Sequence, residues 1–329
     1  MPRSPELDEF ALIARHFAPL ARTHPGSLGL LDDAALLDIE AGQRLVVTSD
    51  MALEGVHFGA DDPPELIGRK VLRYNLSDLA AMGAAPLAYV LSLAKPEARS
   101  SEWVGALATG LGRDQEEFGI ALVGGDMTLS PGPAVLSITA LGQVPADGGL
   151  LRSGAQPGDA VVVSGTIGDA ALGLLVKQGG ISEPAASDVE YLVGRYRLPE
   201  PRVRLGQALG GIASAAIDVS DGLVADLGHI ADASGVGATI DAERVPLSPA
   251  AQRALARDGR LLAKVITGGD DYELLFSVPG DRIGQIEALG PDIGVAVTRI
   301  GSIVEGSGVQ MIGEDGRPLA FERQGYRHF

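Results

Sequence analysis

Short apolar runs that read as strands alternate with stretches of helical periodicity along the whole chain. Strand-like runs stand at residues 34–39, 44–48, 88–94, 120–123 and 135–144, and again at 160–164, 215–217, 236–240, 273–278, 295–300 and 309–312. Between them, residues 7–20, 63–82, 101–118, 168–178, 202–209, 222–233 and 281–289 carry apolar residues at helical spacing. That alternation restricts the chain to the α/β (α+β) class, in which helices cover a sheet. Composition agrees: 45 glycines supply turns, whereas aromatics make up only 4% of the 329 residues. The turn-rich stretch Pro145-Ala146-Asp147-Gly148-Gly149 divides the chain into an expected N-terminal domain, 1–147, and C-terminal domain, 148–329.

The chain carries 26 basic and 43 acidic residues, a formal net charge of −17. Nucleic acid and anionic membrane surfaces are poor partners for such a chain, because phosphate neutralisation needs clustered Lys and Arg. A phosphate substrate would instead need a divalent cation, which surplus carboxylates bind. The absence of cysteine removes disulfides, thiolate nucleophiles and zinc–thiolate sites. It fits a cytoplasmic protein. No signal peptide is expected at the N-terminus, and the apolar run 84–94 is far shorter than the ~20 residues of a membrane helix.

Neither a Walker-type phosphate loop nor a dinucleotide-binding glycine fingerprint is present. What recurs is an acid beside glycine or a hydroxyl at the end of an apolar run. The instances are Leu31-Asp32-Asp33, Thr48-Ser49-Asp50, Gly124-Gly125-Asp126, Asp218-Val219-Ser220-Asp221-Gly222 and Gly268-Gly269-Asp270-Asp271. Asn75-Leu76-Ser77-Asp78 lies within a helix. Each alone reads as a turn or a helix cap. Together they make a set of hard oxygen donors, which points to Mg²⁺ and away from zinc.

The blocks LDDAALL, VTSDMALEGVHF, NLSDLAAMGA, GGDMT, RSGAQPGD, IDVSDGLVADLGHI and GGDDYELLF, in that order, resemble the thiamine-monophosphate kinases. That family belongs to the aminoimidazole ribonucleotide synthetase-like ATP-dependent enzymes. The resemblance extends over nearly the whole chain. It implies ATP-dependent phosphorylation of thiamine phosphate to thiamine diphosphate with several Mg²⁺ ions. It also implies a homodimer whose N-terminal domains form an intersubunit β-barrel, followed by a C-terminal α/β domain, with ATP between the two.

Carried over by motif, Asp33, Thr48, Ser49, Asp50, Asp78, Asp126, Asp218 and Asp221 would ligate metal. Gly125, Asp126, Arg152 and Ser220 would contact ATP, and His57, Asp270 and Tyr326 the thiamine phosphate. No residue is implied as a covalent or acid–base catalyst. Leu31 stands where the family carries Gly, and Asp270 where it carries the longer Glu. Elementary chemistry suits these roles. Phosphoryl transfer depends on positioning and charge neutralisation, and a phosphate acceptor already charged at neutral pH needs no general base. Arg152 suits a bidentate phosphate contact, and a carboxylate and an aromatic face suit the thiazolium cation.

Overall fold

In the N-terminal unit four strands pair in the order β1-β4-β2-β3: β1 (Gln43–Leu53), β2 (Ala85–Pro96), β3 (Ala121–Ser130) and β4 (Val135–Pro145). The computed structural model describes residues 9–32, 34–321 and 325–326. Strand β4 is antiparallel to both β1 and β2, whereas β2 and β3 run parallel. A parallel pair needs a crossover, and α4 (Ser101–Phe118) supplies it. Gly119, at φ +67°, ends that helix in the left-handed conformation that glycine adopts without steric cost. Ahead of the sheet lie α1 (Glu9–Leu12) and α2 (Ala18–Ala21), joined by a π-helical turn over Ile13–Phe17. Helix α3 (Pro64–Ala81) docks on α4 through buried Asp114, which accepts from Arg69 and Arg73.

Side chains alternate along β1. Thr48, Asp50 and Ala52 turn to the covered face, while Leu45, Val47, Ser49 and Met51 are exposed on the other. The sheet is open: β1 and β3 are its edges among the described residues. Residues 34–39, expected as a strand, take no regular structure; Leu36 N–H donates to the Gly26 carbonyl at 2.8 Å. The acidic clusters at 48–50 and 124–126 were expected at strand ends. Both lie inside strands, because the β4 ladder carries β1 on to Leu53 and the β2 ladder carries β3 on to Ser130.

The division between units falls after Ala146, and the short stretch Ala80–Ala84 belongs with the second unit. There seven strands pair in the order β11-β10-β7-β9-β5-β8-β6. They are β5 (Ala160–Ser164), β6 (Ala215–Asp218), β7 (Gly237–Asp241), β8 (Leu274–Val278), β9 (Val297–Val304), β10 (Gly308–Ile312) and β11 (Pro318–Leu319). Only β7 and β10 are parallel; the other ladders are antiparallel. The rule that ligands sit beyond the carboxyl ends of parallel strands therefore does not locate this site.

Among the described residues, seven α-helices accompany the sheet: α5 (Asp169–Lys177), α6 (Ala186–Arg197), α7 (Val203–Ala208), α8 (Leu223–Ser234), α9 (Pro249–Arg257), α10 (Leu261–Thr267) and α11 (Ile283–Ile293). The core packs Val161, Val163, Ile217, Leu227, Ile230 and Leu275. Sequence periodicity missed α9 and α10. The start of α9 was nevertheless legible: Ser248 caps it by accepting from Ala251 N–H at 3.0 Å, with Pro249 at the first helical position. No described helix is long and apolar enough to cross a membrane.

Candidate functional site

Two groups of the expected residues come together, one in each unit. In the first, alternation along β1 turns Thr48 and Asp50 toward α3, where Asp78 meets them. The Thr48 hydroxyl donates to Asp78 Oδ2, and Asp50 shares a side-chain hydrogen bond with Asp78. Burial, then the neighbouring Asp78 charge and that hydrogen bond, push the Asp50 carboxyl up to about 7. Two half-buried carboxyl groups this close repel unless a proton or a cation lies between them. The donor set is all oxygen and carries two potential negative charges, which fits Mg²⁺. Asn75 and Ser77, on the same helix, are fully buried and make no solvated polar face. Ser49 points the other way: its Oγ lies 3.0 Å from Thr139 Oγ1, on the exposed side of the sheet.

His57 sits in the turn after β1. Its Nδ1 accepts from Leu53 N–H at 3.0 Å, and Lys70 Nζ donates to its carbonyl. That acceptor role fixes the neutral tautomer with the proton on Nε2, the form that can donate to a phosphate oxygen. Glu54, in the same block, is structural. It bridges Arg99 and Ala134 N–H at 2.9 and 3.0 Å.

Gly125 and Asp126 lie on β3 opposite Leu91 and Ser92. A Cβ on Gly125 would stand 2.0 Å from the Leu91 carbonyl oxygen, so only glycine lets the strands approach here. Asp126 is exposed. With Asp32 it borders a pocket of about 140 Å³, walled by Ile13 and Phe17 of the π-helical turn and by Leu91. Asp33 lies outside the described residues.

The second group gathers around the loop that joins β6 to α8. Asp218 is buried at the end of β6; Ser220 and Asp221 are half-buried. The Gly268–Tyr272 stretch is laced to this loop: Asp270 N–H donates to Ser220 O at 2.9 Å and Tyr272 N–H to Val219 O at 2.8 Å. Asp270 and Tyr272 take left-handed φ values of +72° and +52° to do so. Tyr326 N–H donates to Asp221 O at 2.9 Å, which brings the C-terminal aromatic to the same loop. The exposed Arg152 lies in a segment whose backbone borders β6, through Ala216 N–H to Leu151 O.

Three residues of this unit gained no role from the sequence. Asp226, in the first turn of α8, accepts at Oδ2 from Ser220, Asp221 and Gly222 N–H at 3.0, 3.1 and 3.0 Å. Burial pushes its carboxyl up to about 7 against the pull of those amides. His229, one turn on, brings its ring within 4.8 Å of the Asp221 and Asp226 carboxylates. Glu273 is fully buried, where it binds Arg195, Arg202 and Ser164. The spacing of Asp226 four residues after Gly222 was the available signal, since a carboxylate in a first helical turn can reach back to the helix start.

Models of the AIR synthase related protein match the chain in both halves, the N-terminal domain over residues 31–144 and the C-terminal domain over 156–314. The thiamine-monophosphate kinase of Caulobacter vibrioides is 43% identical over 325 residues, 97% of this chain and 90% of that one. The chain belongs to the thiamine-monophosphate kinase family. The crystal structure of the family member from Stenotrophomonas maltophilia K279a is 43% identical and superposes with a TM-score of 0.83, covering 93% of this chain and 98% of that one. The structure of AaThiL complexed with AMPPCP and TMP is 32% identical, with a TM-score of 0.76 over 92% of this chain and 97% of that one.

Proposed function

We propose that this protein phosphorylates thiamine monophosphate, transferring the terminal phosphoryl group of ATP to the substrate phosphate and releasing ADP and thiamine diphosphate. Its thiamine-monophosphate kinase relatives share nearly its full length. One geometric observation carries the reading at the level of chemistry: the crowded Asp50–Asp78 pair, with Thr48 on the same carboxylate, is a ready cation seat. Asp50, Asp78 and Asp126 of the first unit, and Asp218 and Asp221 of the second, would hold Mg²⁺, which would supply neutralisation for about five to six negative phosphate charges, given a second phosphate pKa near 6.

The chain's own groups then bind and orient. His57, its tautomer set by Leu53 N–H, offers Nε2–H to the substrate phosphate. Ser220 and Arg152 hold ATP oxygens. Asp270 and Tyr326 face the thiazolium end of the substrate. No side chain has to remove a proton, because the acceptor oxygen is already ionised near neutral pH.

The finer reading includes a cytoplasmic homodimer in which the N-terminal sheet completes a barrel with its copy. The exposed apolar row of Leu45, Val47 and Met51 on edge strand β1 supports that pairing. The deciding experiment is phosphorus NMR of the protein with ATP, Mg²⁺ and thiamine phosphate. A thiamine diphosphate signal growing in step with ADP is expected. Unchanged ATP in a folded sample that binds nucleotide would overturn the kinase reading in favour of a binding role.

A further inference from the structure

Three adjacent main-chain N–H groups converge at the start of α8. At a helix N-terminus such a nest can receive an anion such as phosphate. Here it is already filled: Ser220, Asp221 and Gly222 N–H all donate to Asp226 Oδ2, at 3.0, 3.1 and 3.0 Å. The fourth residue of the helix reaches back to the three residues that precede it.

The rest of the loop backbone is spent as well. Val219 N–H donates to Glu273 O at 2.8 Å. The carbonyls of Val219, Ser220, Asp221 and Gly222 accept from Tyr272, Asp270, Tyr326 and Asp226 N–H respectively, at 2.8 to 3.0 Å. Every main-chain polar group from Val219 to Gly222 is therefore engaged within the protein. What the loop presents to a ligand besides its main chain is the carboxylate of Asp221 and the hydroxyl of Ser220, both half-buried. A Cβ on Gly269 would stand 2.0 Å from Ser220 O, so the packing that holds this arrangement leaves no slack on that side.

We propose that Asp226 is a positioning residue that occupies the phosphate nest of α8, so that this loop receives nucleotide through cation and hydroxyl contacts and not through its amides. The consequence is a change of sign. A helix start that would attract phosphate directly becomes a rigid mount for metal-binding carboxylates. The part that concerns nucleotide rests on the kinase reading above; the occupied nest does not.

The test uses the full-length protein, its Asp226→Ala and Asp226→Asn variants, and two readouts. The first is NMR of the Ser220, Asp221 and Gly222 amides in metal-free protein, followed for hydrogen exchange and for titration with inorganic phosphate. In the wild type these amides are expected to be protected and unmoved by phosphate. In Asp226→Ala they should exchange freely and shift as phosphate enters the vacated nest. In Asp226→Asn, whose amide oxygen can still accept, protection should persist. The second readout is the Mg²⁺ half-saturation of the kinase reaction. It should rise by about tenfold or more in Asp226→Ala, the range for loss of a residue that orients a metal ligand, and recover in Asp226→Asn.

Wild-type amides that shift with phosphate would overturn the proposal, and that measurement holds even if Asp226→Ala does not fold. So would protected amides in Asp226→Ala, or an unchanged Mg²⁺ dependence in that variant. A wild type that binds nucleotide but phosphorylates nothing would refute the kinase reading while leaving the amide result to decide the nest.

Discussion

Asp50 and Asp78 share one hydrogen bond across the seam between β1 and α3, and the Thr48 hydroxyl donates to the same Asp78 carboxylate. Burial and the Asp78 charge raise the Asp50 carboxyl to about 7, so in metal-free protein a proton holds the pair together below that pH. The sign follows from linkage. A carboxyl raised in the folded state contributes stability that is present at low pH and lost as pH rises through its folded value. Metal-free protein should therefore lose thermal stability as pH rises from about 4, the unfolded value, to about 7, and level off above that. Mg²⁺ must displace that proton, so its affinity should rise with pH, by up to about tenfold per unit below 7, and level off above it. Calorimetric titration of Mg²⁺ at several pH values checks this; a flat profile would remove the pair from the metal site.

Replacing Asp50 by Asn removes one metal charge and also the repulsion within the pair. Turnover should fall by roughly 100-fold or more, the scale on which preorganised charge stabilises a transition state. Melting temperature without Mg²⁺ should stay level or rise, because the neutral amide keeps a hydrogen bond to Asp78 without the cost of a second buried charge. Near-normal turnover, or a destabilised apo-protein, would contradict the assignment.

The residues that sequence alone brings forward are those whose chemistry sits in contiguous blocks. Thr48-Ser49-Asp50 and Asp218-Val219-Ser220-Asp221 announce themselves as clustered oxygen donors. What the sequence does not carry is direction. Only the pleat of β1 shows that Thr48 and Asp50 face α3 while Ser49 faces away. Strand ends were misjudged for a related reason. Polar residues at 48–50 and 124–126 look like terminators, yet a ladder of main-chain bonds is indifferent to side-chain polarity while its partner strand continues. Asp226 stayed hidden because a carboxylate four residues into a helix looks like any solvated acid until its three amide donors are seen.

Asp270 combines a carboxylate with a left-handed backbone at φ +72°, where Asp and Asn are among the few non-glycine residues tolerated. Asp270→Asn thus keeps the loop while deleting the charge proposed to face the thiazolium ring. KM for thiamine phosphate should rise about tenfold, equivalent to ~1.4 kcal/mol, with KM for ATP nearly unchanged. Initial-rate kinetics with each substrate varied in turn provide the check. Equal effects on both constants would place Asp270 at the nucleotide end.

Glu273 stands three residues beyond Asp270 but does different work. Its carboxylate is fully buried, with Arg195 at 2.9 Å, Arg202 at 2.6 Å and the Ser164 hydroxyl at 2.6 Å. Glu200, which also reaches both guanidinium groups, is 56% exposed and bonds Arg202 at 3.0 Å, so it compensates them weakly. Glu273→Gln would preserve shape and a bond to Ser164 but leave two largely buried cations without their shared anion. Removing one partner of a buried ion pair costs about 3–5 kcal/mol, so differential scanning calorimetry should record a melting temperature lower by roughly 10 °C. The loss should not depend on Mg²⁺, because the side chain anchors β8 to the Arg195 and Arg202 helical segments and offers nothing to substrate. A variant that melts normally but turns over slowly would instead make Glu273 part of the reaction machinery.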